Sequence, residues 1–263
     1  ITFIMYTHNL NPIIFDFGVL SLRWYSLAYL VGIIFGWWYG KKIISFINKK
    51  HQNNFKLALL DDYITYVIIS IIVGGRLGYV LFYNFDYFFL NPIEIFYIWS
   101  GGMSFHGGLL GVVISTIIFS KKRGFDKLVL LDIVSCVAPV GIFFGRLANF
   151  INGELYGKPT ELPWAVTFPL VDLQGRHPSQ IYEALLEGAL LFLIINFMIR
   201  KIPYKKGKCA ALFLILYSIF RVFSEFYREP DLQIGYIFNL ISMGSLLSFI
   251  MFGLGIIMYF RIK

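Results

Sequence analysis

Charge is scarce in this chain. Asp, Glu, Lys and Arg make up 14% of its 263 residues, against about 25% in soluble globular domains. A soluble fold of this length is therefore excluded. Cysteine is scarcer still. Cys136 and Cys209 are the only two, each in or beside an apolar run, so neither a disulfide framework nor a cysteine nucleophile is expected. The four histidines, His8, His51, His106 and His177, form no HExxH and no i, i+4 pair, and no acidic cluster resembles a divalent site. No metal and no cofactor are expected. GxSxG, a P-loop and a GxGxxG fingerprint are also missing. Ile1 to Leu10 carry no basic n-region and no small-residue cleavage site, so no cleavable leader is expected there.

What is present is apolar. Hydrophobic residues are 58% of the chain and aromatics 19%. The expected fold class is an all-α polytopic membrane protein. Seven runs have the length a bilayer demands: Val19–Tyr39, Leu59–Tyr83, Ile95–Phe119, Leu128–Phe144, Ile181–Ile199, Ala210–Phe226 and Ile234–Phe260. They predict seven transmembrane helices in one integral membrane domain, residues 1–263. A small, mostly non-helical head with one or two short strands is expected at about 145–180, between spans four and five.

The net charge of +8 is read through its placement, as topogenic charge with no nucleic-acid partner. Lys41, Lys42, Lys49, Lys50 and Lys56 follow span one. Lys121, Lys122, Arg123 and Lys127 follow span three. Arg200, Lys201, Lys205, Lys206 and Lys208 follow span five, and Arg261 and Lys263 end the chain. All fall on one side, which predicts an outside N-terminus and a cytoplasmic C-terminus. The other side is different in kind: Arg23, Arg76, Arg146, Lys158, Arg176, Arg221 and Arg228. Lysine suits solvated charge, whereas arginine suits fixed bidentate contacts with phosphate or carboxylate. The outward half thus carries an arginine set fitted to recognition.

The polar stretches lie at the mouths of spans. Gly145 to Gly157 contains Arg146, Asn149, Asn152 and Glu154, residues wrong for lipid and apt for a polar headgroup. Arg76 sits within a span beside Gly74, Gly75 and Gly78, at a cost of about 2.5–3.5 kcal/mol unless it faces protein, water or phosphate. Two Gly-Gly pairs flank Met103 to His106 and predict an unwound or re-entrant stretch. His106 is the only histidine inside an apolar run and is a candidate proton acceptor; a hydrogen-bonded packing role is the alternative. Pro178, Ser179 and Glu183 read as a helix start, with Arg176-His177 beside it. Arg221 and Glu225 share a helix face at i, i+4, continued by Arg228. One carboxylate, Glu225, does not satisfy both Arg146 and Arg221; a phosphodiester would.

Taken together, Arg23-Trp24-Tyr25, Gly74 to Tyr79, Gly102 to Gly108, Gly145 to Gly157, His177 to Gln180 and Arg221 to Asp231 resemble the prolipoprotein diacylglyceryl transferase family, over nearly the whole chain. Tyr156 stands where another aromatic, often Trp, is usual. The resemblance implies a bacterial plasma-membrane enzyme with its active site toward the outer face. Its partners would be phosphatidylglycerol, a preprolipoprotein signal peptide with its lipobox cysteine, and bilayer lipids. It implies catalytic roles for His106, Arg146 and Arg221, and substrate contacts by Arg146, Arg221, Tyr25, Asn149, Glu154, Gly157, Glu225, Arg76 and Arg228. A transporter or scramblase of anionic lipids would use the same arginines. It usually shows repeated halves, and no repeat is present.

Overall fold

The computed structural model describes residues 6–16, 18, 21–51, 55–230, 235–237 and 240–262. Val19, Asp231, Ile234 and Lys263, which figure in the spans and motifs above, lie outside them. The helices among the described residues are α1 (Trp24–His51), α2 (Leu59–Phe82), α3 (Phe85–Leu90), α4 (Phe105–Arg123), α5 (Lys127–Asn152), α6 (Ser179–Glu183), α7 (Leu191–Lys201), α8 (Lys208–Glu225) and α9 (Met243–Arg261). A π-helical segment, Ala184–Leu190, joins α6 to α7. Five helices are long and apolar enough to cross a membrane: α1, α2, α5, the α6–π–α7 rod and α9. Helices α4 and α8 stand outside that set; α4 ends in Lys121, Lys122 and Arg123, and α8 carries Lys208, Arg221 and Glu225. Large apolar residues such as Leu30, Ile34, Leu110, Leu193, Phe197 and Leu254 point outward, as lipid-facing positions do.

Four helix ends differ from expectation by eight residues or more: α1 runs past Tyr39 to His51, α9 begins at Met243 where the span was expected from Ile234, and the other two are the start of α4 and the end of α5. The third span, expected from Ile95, begins at Phe105. Before it lie 3₁₀ turns, Pro92–Phe96 and Ile98–Ser100, then Gly101 and Gly102 at positive φ, a conformation that suits glycine. The expected unwound stretch is therefore present. Hydropathy ran through it because Ile93, Phe96 and Trp99 are exposed apolar side chains. The fourth span, expected to stop at Phe144, continues to Asn152. Polar side chains do not stop a helix whose backbone bonds are internal. Gly153, left-handed at φ 68°, does, and its N–H closes on the carbonyls of Asn149 and Phe150. The helix therefore takes in the first eight residues, 145–152, of the stretch assigned to the head. The rest, 153–178, is mostly non-helical and carries β4 (Val166–Thr167) and β5 (Gly175–Arg176). With β1 (Tyr6–Thr7) they form a three-stranded sheet, β1 parallel to β4 and β4 antiparallel to β5. β2 (Ile13–Asp16) pairs with β3 (Ser21–Arg23), and β6 (Tyr236–Ile237) with β7 (Ile241–Ser242).

The apolar core fills one half of the bundle: Ile43, Ile47, Tyr63, Phe119, Leu130, Ile133, Leu191, Ile195 and Ile199. The lysine-rich helix ends gather at that half, where Arg123 pairs with Asp62 at 2.8 Å and Lys206 with Asp126 at 2.8 Å. Fully buried Asp132 of α5 accepts the N–H groups of Gly207 (2.7 Å) and Ala210 (2.9 Å), which satisfies the free donors at the start of α8.

Helices α2 and α4 meet along a seam of small residues. A Cβ at Gly107 would run into the Gly74 carbonyl, and one at Gly74 into that of Gly107 at 2.5 Å. Such seams let backbones approach closely. Gly107→Val is expected to part the two helices and lower thermal stability in detergent by about 1–3 kcal/mol, the usual cost of overpacking. Gly253 of α9 has nothing within 4 Å of its would-be Cβ, and Gly253→Ala should hold the wild-type midpoint. Equal midpoints for both variants would refute the seam.

Candidate active site

At the end of the bundle opposite the lysines, three helices converge on a buried cluster of six charges. α5 brings Arg146, the α6–π rod brings Glu183 and Glu187, and α8 with the turn after it brings Arg221, Glu225 and Arg228. Arg221 Nη1 donates to Glu183 Oε1 at 2.6 Å and lies 3.7 Å from Glu187 Oε1. Its Nη2 donates to Glu225 Oε1. Arg146 Nη1 lies 3.0 Å from Glu183 Oε2, and its Nη2 donates to Glu187 Oε2 at 3.2 Å. Arg228 Nη1 lies 3.5 Å from Glu183 Oε1 and 3.9 Å from Glu225 Oε1. Glu183 and Glu187 have no exposed surface, and Arg146 is the most open of the arginines, its side chain 13% exposed against 6% for Arg221 and Arg228.

This corrects the charge count made from the sequence. Glu183 does not cap a helix: it touches all three arginines. Glu187, not singled out above, touches two. Their signal was available, since two carboxylates at i, i+4 inside an apolar run are costly in lipid and share a face. The π-helical turn starts at Ala184, directly after Glu183, and contains Glu187, and such turns often mark functional sites. Gly188 lets it approach α5 closely, for a Cβ there would fall 2.6 Å from Phe143 Cβ.

His106 stands in the first turn of α4, capped by Ser104, whose Oγ accepts the Gly107 N–H at 3.2 Å. Its Nε2 is buried and meets no hydrogen-bond partner among the described residues. Arg221 and Arg146 are its charged neighbours. One turn beyond Arg146 on α5, buried Asn149 donates to Glu154 Oε1 at 2.8 Å, as Asn152 does at 3.2 Å. Tyr25 packs on Tyr29 at 5.3 Å between ring centroids, and Tyr29 lies in the field of Arg146 and Glu154. His106, Arg146, Arg221, Glu225 and Arg228 thus share one region, with Asn149, Glu154 and Tyr25 along its α5 and α1 side.

Two of the expected substrate contacts, Arg76 and Gly157, are engaged within the protein. Arg76 is buried, and its guanidinium donates to the carbonyls of Ile95 (2.9 Å), Glu94 (2.6 Å), Gly101 and Gly102 (3.3 Å). It fastens the unwound stretch before α4 and has no donor fork left for a headgroup. Gly157 is a packing joint. A Cβ there would collide with the carbonyls of His177 and Tyr227. Its N–H donates to His177 O at 2.9 Å, and its carbonyl accepts from Arg176 Nη1 at 3.0 Å.

Arg176, one of the outward arginines named above, is likewise internal. It is buried against Asp172 (2.5 Å), Glu229 (3.2 Å) and the Tyr156 ring. Its hydrogen bond holds the Asp172 carboxyl below the usual carboxylate value. A depressed pKa contributes stability above the ordinary value of 3.8 and loses it as the pH falls through the lower, folded value. The 153–178 segment should therefore loosen in acid. Asp172→Asn should bring the same loosening to neutral pH, read as faster trypsin cleavage after Arg176. Wild-type cleavage rates in that variant would show that the pair holds nothing.

The family described as prolipoprotein diacylglyceryl transferase matches residues 12–261. Phosphatidylglycerol–prolipoprotein diacylglyceryl transferase of Rickettsia bellii is 51% identical over 250 residues, covering 94% of each chain. The protein of the same name from Ehrlichia canis is 50% identical over 250 residues, again 94% of each. That from Rickettsia felis is 49% identical over 249 residues, covering 94% of this chain and 95% of its own. With matches of this depth along nearly its whole length, the chain belongs to the prolipoprotein diacylglyceryl transferase family.

Proposed function

We propose that this protein moves the diacylglyceryl group of phosphatidylglycerol onto the lipobox cysteine thiol of a preprolipoprotein, forming a thioether and releasing glycerol phosphate. The observation that carries the reading is Arg146 and Arg221, two guanidiniums on different helices, held toward each other by Glu183 beside the unpartnered Nε2 of His106. The leaving group is a phosphate, and arginine forks match phosphate oxygens in pairs. Negative charge grows on that phosphate as the carbon–oxygen bond breaks, and fixed guanidiniums in a water-poor site stabilise it without reorganising. The nucleophile comes with the peptide and must be a thiolate, while a free thiol has a pKa near ~8.5. His106 Nε2 is an acceptor for that proton, or the arginine field lowers the thiol pKa unaided. Asn149, with Glu154, orients the headgroup, and Tyr25 holds the lipid.

The protein is one integral membrane domain of the bacterial plasma membrane. It has seven spans, α4 and α8 completing the set, and a head at 153–178. The lysine-rich end faces the cytoplasm by the positive-inside rule, which leaves the arginine cluster toward the outer face, the N-terminus outside and the C-terminus inside. The acyl chains enter laterally between helices from the bilayer.

The test is transfer of labelled lipid from phosphatidylglycerol to a lipobox peptide by the purified protein. Transfer must disappear with a Cys→Ser peptide, and glycerol phosphate must appear in equal amount. Well-folded protein that moves phosphatidylglycerol across vesicles without requiring a peptide would replace this reading with lipid transport.

A further inference from the structure

We infer that Glu187 takes up a proton as the anionic headgroup enters, so that substrate binding and protonation of this carboxylate occur together. The inference rests on phosphatidylglycerol as the substrate. Arg146, Arg221 and Arg228 are already matched one for one by Glu183, Glu187 and Glu225. A phosphodiester placed among them adds one negative charge to a cluster whose described residues sum to zero charge and are nearly closed to water. An unpaired buried charge costs several kcal/mol, and such a group neutralises where it can. One proton restores the balance: a carboxylate and a proton from water become a carboxylic acid, and the phosphodiester takes its place at the arginines.

The geometry selects Glu187 among the three carboxylates. Glu183 touches three guanidiniums, at 2.6, 3.0 and 3.5 Å. Glu225 is bound closely by Arg221 and has Arg228 at 3.9 Å. Among the described residues Glu187 makes one hydrogen bond, to Arg146 at 3.2 Å, and lies 3.7 Å from Arg221. Its Oε1 is buried and makes no hydrogen bond among the described residues. It is the least held of the three and the one whose release frees Nη2 of the most accessible arginine. The groups facing it are Arg146 from α5, Arg221 and Tyr217 from α8, and Glu183 from its own rod. His106 of α4 faces the same two arginines and is the rival proton site.

The experiment is the KM for phosphatidylglycerol between pH 6 and 9, for wild type and Glu187→Gln, whose amide imitates the neutral acid. Uptake of one proton raises the wild-type KM by about tenfold per pH unit once the free site is ionised. Glu187→Gln should be flat, with the lower KM at pH 9. A flat wild-type profile overturns the inference. So does a wild-type slope retained in the variant, which would assign the proton elsewhere, His106 first. If the variant does not fold, the wild type still decides. Short-chain phosphatidylglycerol titrated calorimetrically in two buffers of different ionisation enthalpy should show about one proton taken up per lipid bound, and none refutes it. Binding without turnover would count against the transfer reading while leaving the proton count valid.

Discussion

Arg146→Lys is expected to lower kcat/KM for lipid transfer by about 10²–10³-fold, the usual loss when one fixed donor to a developing anion is removed, or about 2.7–4 kcal/mol of transition-state stabilisation. The substitution keeps the charge, so Glu183 and Glu187 keep a cation between them and the fold should survive. What it removes is the planar fork. Arg146 spreads its donors over two carboxylates, 3.0 and 3.2 Å away, and is the most exposed of the three arginines. A lysine is a point charge on a flexible stem and cannot hold two oxygens in a fixed plane. Because the donors matter most as charge grows on the leaving phosphate, kcat should fall by more than KM rises. Thermal midpoint and expression provide the control. A folded Arg146→Lys with wild-type kcat would mean that charge alone suffices and that the fork is incidental.

The membrane class, the existence and order of the long helices and the one-sided lysines were all legible in hydropathy and charge. The misplaced start of span three and the misplaced end of span four share one cause. Hydropathy records what a side chain prefers and not whether the backbone is helical. Exposed Phe96 and Trp99 therefore extended span three backwards, and polar Arg146 and Asn149 ended span four early. In the candidate site the arginines stood out because charge in an apolar run is conspicuous. Their division of labour did not, since it depends on what each guanidinium meets in space. Arg76 meets the backbone carbonyls of its own unwound loop, and Arg176 meets Asp172 and Glu229. Only Arg146, Arg221 and Arg228 meet one another's partners. Glu183 lies five residues after Pro178, where a helix start explained it locally, and only its i, i+4 pairing with Glu187 marked it as more. No local rule reveals that a carboxylate on one helix serves arginines of two other segments.

Glu183 is also the position at which a single change should damage the fold most. It has no exposed surface and bridges Arg146, Arg221 and Arg228, so it ties the α6–π rod to α5 and α8 at once. Glu183→Ala leaves three guanidiniums around two carboxylates in a nearly dry site. Breaking a buried pair from one side costs about 3–5 kcal/mol because the partner charge stays behind. A lowered unfolding midpoint in detergent and poor accumulation in membranes should follow. Glu183→Gln keeps the shape and hydrogen-bonding capacity and loses only the charge, so it should fall between wild type and alanine. Combining Glu183→Gln with Arg228→Gln removes one charge of each sign and should recover part of the loss, a coupling of about 0.5–3 kcal/mol for groups sharing one network. Additive losses in that double variant would mean that Arg228 does not depend on Glu183. An alanine variant as stable as wild type would mean that water or lipid, not Glu183, compensates the arginines in the membrane.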